Sequence, residues 1–168
     1  MVEEATESLC FLNIDKYEVK ESMSKRKPIL VMGLPGAGKS ALAKALSTRL
    51  NAVHWNADLV RANLNKDLGF SLEDRIEQAY RMRFLCDTVL SSGSLTIADF
   101  VCPTKETRDA FGEAFIVFVD RVKASRYEDT NALFEYPDKV DVVIPFGLTI
   151  EEEVDLVMEG LVREGWWG

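Results

Sequence analysis

The chain has 168 residues, 47% of them apolar, and a net charge of −8, the make-up of one globular domain with no surplus of positive charge to attract a nucleic-acid polymer. No apolar run approaches the ~20 residues that cross a bilayer, and the polar, acidic start does not read as a signal peptide, so a cytoplasmic protein is expected. Its three cysteines, Cys10, Cys86 and Cys102, are odd in number and lack C-x-x-C spacing, which argues against a disulfide framework or a zinc site.

Residues 1–27 carry acids among Leu9, Phe11, Leu12, Ile14 and Tyr17 and end in Lys25-Arg26-Lys27. They are expected to form a partly helical or loosely ordered extension ahead of a catalytic domain at 28–168. That domain opens on Pro28-Ile29-Leu30-Val31-Met32, an apolar run of the kind buried in a parallel sheet, and a helix is predicted over 41–50 with Leu42, Ala45, Leu46 and Leu50 on one face. Between them Gly33-Leu34-Pro35-Gly36-Ala37-Gly38-Lys39-Ser40 fits G-x-x-x-x-G-K-[ST], followed by Ala41. Glycines there let backbone N–H groups turn toward a phosphate at a helix N-terminus. Lys39 is expected to reach the β- and γ-phosphates of ATP, and the Ser40 hydroxyl to hold Mg²⁺.

A second strand is predicted over 52–56 and a short helix over 57–61, which puts Asp58 and Arg61 at a strand's carboxyl end, where open α/β sheets bind ligands. His54, the only histidine, is read as structural rather than as a general base. Ser71 and Asp74 form a capping pattern for a long helix over 72–91. A third strand, 95–101, brings Asp99 to the same edge, in position to assist Mg²⁺ or the nucleophile. A helix to about 111, an apolar strand over 114–119, a strand over 140–144 and a helix from 149 complete the pattern. Strands alternating with helices predict an α/β P-loop fold, a parallel sheet of about five strands covered on both faces. Residues 123–139, rich in charge and aromatics, are either a lid or a surface connection. Phosphoryl transfer needs a metal, a charge clamp and a carboxylate that orients the acceptor hydroxyl. Lys39, Asp58 and Asp99 are the candidate catalytic groups, with Arg61, Arg75 and Arg81 as the candidate clamp.

The P-loop together with Asn56-Ala57-Asp58-Leu59-Val60-Arg61 and Leu64-Asn65-Lys66-Asp67-Leu68-Gly69-Phe70-Ser71, then Asp74-Arg75, resembles the adenylylsulfate (APS) kinase family. That family shows G-L-S-G-A-G-K-[ST], D-G-D-N-V-R and L-N-x-D-L-G-F-S followed by D-R, in this order, and the likeness spans about residues 28–120. The resemblance implies transfer of the ATP γ-phosphate to the 3′-hydroxyl of APS, giving 3′-phosphoadenylyl sulfate (PAPS), in a cytoplasmic enzyme that forms a homodimer. It implies that Asp58 lies near Mg²⁺ and the acceptor hydroxyl. By the same likeness Arg61, Asn65 and Arg75 hold the sulfate–phosphate end and ribose of APS, and Phe70 stacks on its adenine. Val101 and Cys102 fall on the family's S-F-I-S-P, whose backbone lines the APS pocket.

The sequence departs from the family pattern at several points. Asn56 stands for the first Asp of D-G-D-N, Cys102 for the serine of S-P, Lys105 for an arginine and Gln78 for an asparagine, with Asp99-Phe100-Val101-Cys102-Pro103 lying on S-F-I-S-P. The family's D-P-K-G-L-Y and G-F-T-G lid segments are missing, so a second ring against the adenine has to come from Phe134 or Tyr136. Two other readings stay open on the sequence: a kinase for another hydroxyl acceptor, such as a modified nucleoside, a sugar or a polynucleotide end, and a nucleotide-binding module of low turnover.

Overall fold

A computed structural model describes residues 26–166; the expected extension lies almost wholly outside them. Five strands form one parallel sheet: β1 (Ile29–Met32), β2 (Val53–Asn56), β3 (Thr96–Phe100), β4 (Phe115–Asp120) and β5 (Val142–Pro145), in the spatial order β2-β3-β1-β4-β5. The three middle strands are the most buried, because a parallel sheet is covered on both faces. Successive side chains of β1 point to opposite faces. Ile29 and Val31 join one core with Leu42, Leu46, Phe115, Val117, Ile144, Val157 and Leu161, while Leu30 and Met32 join the other with Met82, Ala98, Phe100, Phe111 and Phe118.

The first core is closed by α1 (Lys39–Leu50) and α6 (Ile150–Arg163), the second by α3 (Leu72–Ser91) and α4 (Lys105–Phe111). Two further short helices, α2 (Ala57–Asn63) and α5 (Glu128–Leu133), sit at the carboxyl edge of the sheet. Side chains start four of the helices. Asn56, Ser71, Thr104 and Thr149 accept from the N–H groups of Leu59, Asp74, Thr107 and Glu152, capping α2, α3, α4 and α6. Such caps contribute about 1 kcal/mol each. The fold fits closest where α6 crosses the sheet. A Cβ on Gly160 would lie 2.5 Å from Val142 Cγ2 and 3.1 Å from Phe115 Cζ, so only glycine lets the helix approach that far.

The predicted architecture agrees with this structure. The differences are local: α1 starts at Lys39 rather than 41, and β5 starts two residues later than expected, at Val142. In the 123–139 connection the structure has a helix, α5, that the sequence pattern did not signal. Among the described residues no helix is long and apolar enough to cross a membrane.

Candidate active site

The loop between β1 and α1 takes its shape from three glycines with positive φ. Gly33 is the most constrained of them: a Cβ there would meet the Val119 carbonyl at 2.7 Å, so any side chain would push the loop off β4. Leu34 and Ala37 turn inward and are buried. Pro35, Gly36, Gly38, Lys39, Ser40 and Ala41 line a cleft of about 1020 Å³. Lys39 is itself 8% exposed and donates to the Leu34 carbonyl at 3.0 Å. Burial pushes its pKa down, while the negative charges of Asp99 and Asp58 push it back up.

Beneath this loop four polar side chains meet. Ser40 donates its hydroxyl to Asp99 Oδ1 at 3.1 Å, and Asn56 Nδ2 donates to both Ser40 Oγ, at 2.9 Å, and Asp99 Oδ2, at 3.0 Å. His54 Nε2 donates to Asp99 Oδ2 at 2.5 Å. The sheet makes the meeting possible, since Asn56 and Asp99 are register partners on adjacent strands, and Ser40 enters from the first turn of α1. Asp58, on the first turn of α2, lines the same cleft.

Across the cleft Arg61 and Arg75 bracket one ring. Their guanidinium carbons lie 4.6 and 5.6 Å from the centroid of Phe70, itself 60% exposed. Arg61 also donates to the Gly69 carbonyl, and Arg75 to the Phe70 carbonyl at 2.9 Å. The pKa of Arg61 is lowered, first by burial and then by the positive charge of Arg75. Two cations held together at the mouth of a cleft make a site for an anion. On its far side Arg75 reaches α5, donating to Thr130 Oγ1 at 3.0 Å and to Asp129 Oδ2 at 3.4 Å.

Not every residue singled out in the sequence faces this space. Val101 and Cys102 do, but the Cys102 thiol is buried and its pKa pushed up to about 12, which leaves a neutral, unreactive group. Asn65 is 5% exposed and lies behind the cleft, donating to Gln78 Oε1 at 2.8 Å while Gln78 donates to the Ala57 carbonyl and itself lines the wall. Phe134 is stacked on Phe118 with centroids 6.1 Å apart, and Tyr136 meets both edge-on, so neither ring is in the lining. The connection instead brings Tyr127 to the cleft, beside Arg126. Arg81 is drawn away into a two-pronged pair with Asp67, both contacts 2.8 Å, and a further pair with Glu77.

Sequence reasoning missed the parts played by His54, Asn56 and Tyr127. The contacts of His54 and Asn56 with Asp99 depend on β2 pairing with β3, which no local pattern states, and nothing in the local pattern marked Tyr127.

The adenylylsulphate kinase family model matches residues 25–139. The chain belongs to the adenylylsulphate kinase family. It is 31% identical to the adenylyl-sulfate kinase of Clostridium kluyveri, over 86% of this chain and 88% of that one, and 30% identical to that of Paraburkholderia xenovorans, over 86% and 97%. Its fold superposes on the Mycobacterium tuberculosis APS kinase CysC, solved in complex with AMPPNP and APS, with a TM-score of 0.71 and 25% identity over 82% of this chain and 98% of that one. Asn56 and Asp99, on adjacent strands, touch each other.

Proposed function

We propose that the chain transfers the γ-phosphoryl group of ATP to the 3′-hydroxyl of APS, giving PAPS and ADP. One observation carries this reading: the Arg61–Phe70–Arg75 group opens into the same cleft as the P-loop, with Asp58 and Asp99 also in its lining. Adenine stacks on an exposed ring, and the sulfate–phosphate end of APS pairs with two guanidiniums. A neutral sugar would use neither feature.

The donors at the loop fit a hard divalent cation, because the Ser40 hydroxyl and the carboxylates of Asp58 and Asp99 are all oxygen ligands. Mg²⁺ held by Ser40 and Asp58 would neutralise charge that develops on the transferred phosphoryl group. Lys39 swings from the Leu34 carbonyl to the β- and γ-phosphates. Asp58 orients the acceptor 3′-hydroxyl and accepts its proton as the oxygen attacks phosphorus. Backbone N–H groups of the loop and the start of α1 hold the phosphates in line.

The test is a coupled ADP-release assay with Mg·ATP, with and without APS, in which the product is identified as PAPS by chromatography. APS-dependent release is expected. ADP formed only with another hydroxyl compound would overturn the acceptor assignment, and absence of turnover with any acceptor would overturn the kinase reading. Asp58→Asn should abolish turnover while leaving nucleotide binding within a few-fold of wild type.

A further inference from the structure

Asp99 lines the cleft although it is only 2% exposed, and it is held by more side chains than any other carboxylate at the loop. His54 and Asn56 both donate to Oδ2, whereas Oδ1 receives only the Ser40 hydroxyl and keeps further acceptor capacity on that side. Asn56 has no such freedom. Its Nδ2 is divided between Ser40 and Asp99, and its Oδ1 accepts the Leu59 N–H at 3.0 Å to cap α2. Turning the Asn56 amide to offer Oδ1 to a cation would uncap the helix that carries Asp58 and Arg61 and would aim N–H groups at it.

The geometry points to an exchange of carboxylate between two strands: Asp99 on β3, with Ser40, is an oxygen ligand for the divalent cation, and Asn56 and His54 are positioning residues that fix it. Asn56 and Asp99 are register partners, so an aspartate on either strand presents its carboxylate to the same Ser40 hydroxyl. The family pattern has Asp at 56 and Ser at 99; this chain has Asn and Asp. The two departures are therefore one compensated change, and the carboxylate is moved rather than lost. The inference rests on the phosphoryl-transfer reading above and assigns Asp99 to the cation rather than to the nucleophile.

Mn²⁺ uptake in the presence of AMPPNP, followed by the loss of the free-ion electron paramagnetic resonance signal, tests this without turnover or acceptor. Asp99→Asn should weaken uptake by about 10–100-fold. The double variant Asn56→Asp/Asp99→Asn, which returns the carboxylate to β2, should recover to within a few-fold of wild type. Asp99→Ser gives the same reading as the single change should the amide disturb the cluster, and thermal melts identify folded variants. Wild-type uptake unchanged in folded Asp99→Asn or Asp99→Ser overturns the inference and leaves the kinase reading standing. So does a folded double variant as weak as the single one. Wild-type protein that takes up no Mn²⁺ with the nucleotide overturns both.

Discussion

Two guanidinium groups around one phenyl ring repel each other unless π density or an anion lies between them, and Phe70 offsets part of that cost for Arg61 and Arg75. An acceptor bearing sulfate and phosphate would offset the rest. Removing either arginine deletes a charge-assisted hydrogen bond worth roughly 1.5–3 kcal/mol. Arg61→Ala and Arg75→Ala should therefore raise the acceptor KM by about 10–100-fold and change the ATP KM little; steady-state kinetics with each substrate varied in turn would check this, and equal effects on both would contradict the pocket. The buried thiols give a second prediction at this scale. Burial pushes Cys86 and Cys102 up to about 12, so at pH 8 almost no thiolate exists at either. Peptide-level mass spectrometry after iodoacetamide treatment should find both unmodified in the folded protein and both alkylated in urea. Cys102 also has a φ of 48°, a conformation that L side chains rarely adopt, at the bend that carries the chain from β3 toward α4.

Helix α5 lies in the 123–139 stretch that the sequence leaves as either a lid or a surface connection. It is only six residues long, but Thr130 is buried against Arg75 and Asp129 places a carboxylate on the same guanidinium. On the proposed reading, an anionic acceptor would compete with Asp129 for Arg75. Asp129→Asn should therefore lower the acceptor KM by a few-fold without changing the ATP KM, an effect opposite in sign to that of Arg75→Ala and readable in the same kinetic series. On the neighbouring side the segment between α2 and α3 is fixed from within, by Arg81 on Asp67 and by Asp74, whose side chain accepts the Gly69 N–H at 2.9 Å. These bonds hold Phe70 at the cleft. Asn65 belongs to this supporting layer, acting on the cleft through Gln78 rather than at its surface.

At the scale of the whole molecule, the order of elements was legible because apolar strands and capped helices alternate with short links, and the P-loop fixes which edge of the sheet carries the chemistry. Asp58 and Arg61 could be placed at that edge from their position after the second strand, and Phe70 and Arg75 from the likeness to the family's motifs. The Asn56–Asp99 contact could not, because it depends on which strands are neighbours; β2 lies beside β3, not beside β1. The sequence could not place Phe134, which packs on Phe118 outside the cleft lining, because an aromatic in a connection packs in the core or faces a ligand with the same local sequence. A long-range pairing of the same kind ties the P-loop to the C-terminal helix. Arg121, at the exit of β4, forms an ion pair with Glu153 in the first turn of α6, and the Glu153 side chain is fully buried. The guanidinium also lies against the loop, 2.9 Å from where a Cβ on Gly38 would stand. Removing one partner leaves a buried charge without compensation, which costs about 3–5 kcal/mol, whereas replacing both by apolar side chains is close to neutral. Arg121→Met should thus lower the urea midpoint strongly, and Arg121→Met/Glu153→Leu should recover most of the loss. Because the single variant uncouples α6 from the loop, its affinity for AMPPNP should fall as well, by calorimetric titration at a temperature where it is still folded. If the midpoint of Arg121→Met matched wild type, the pair would contribute nothing net to stability, and the loop would owe its shape to its glycines and to β4 alone.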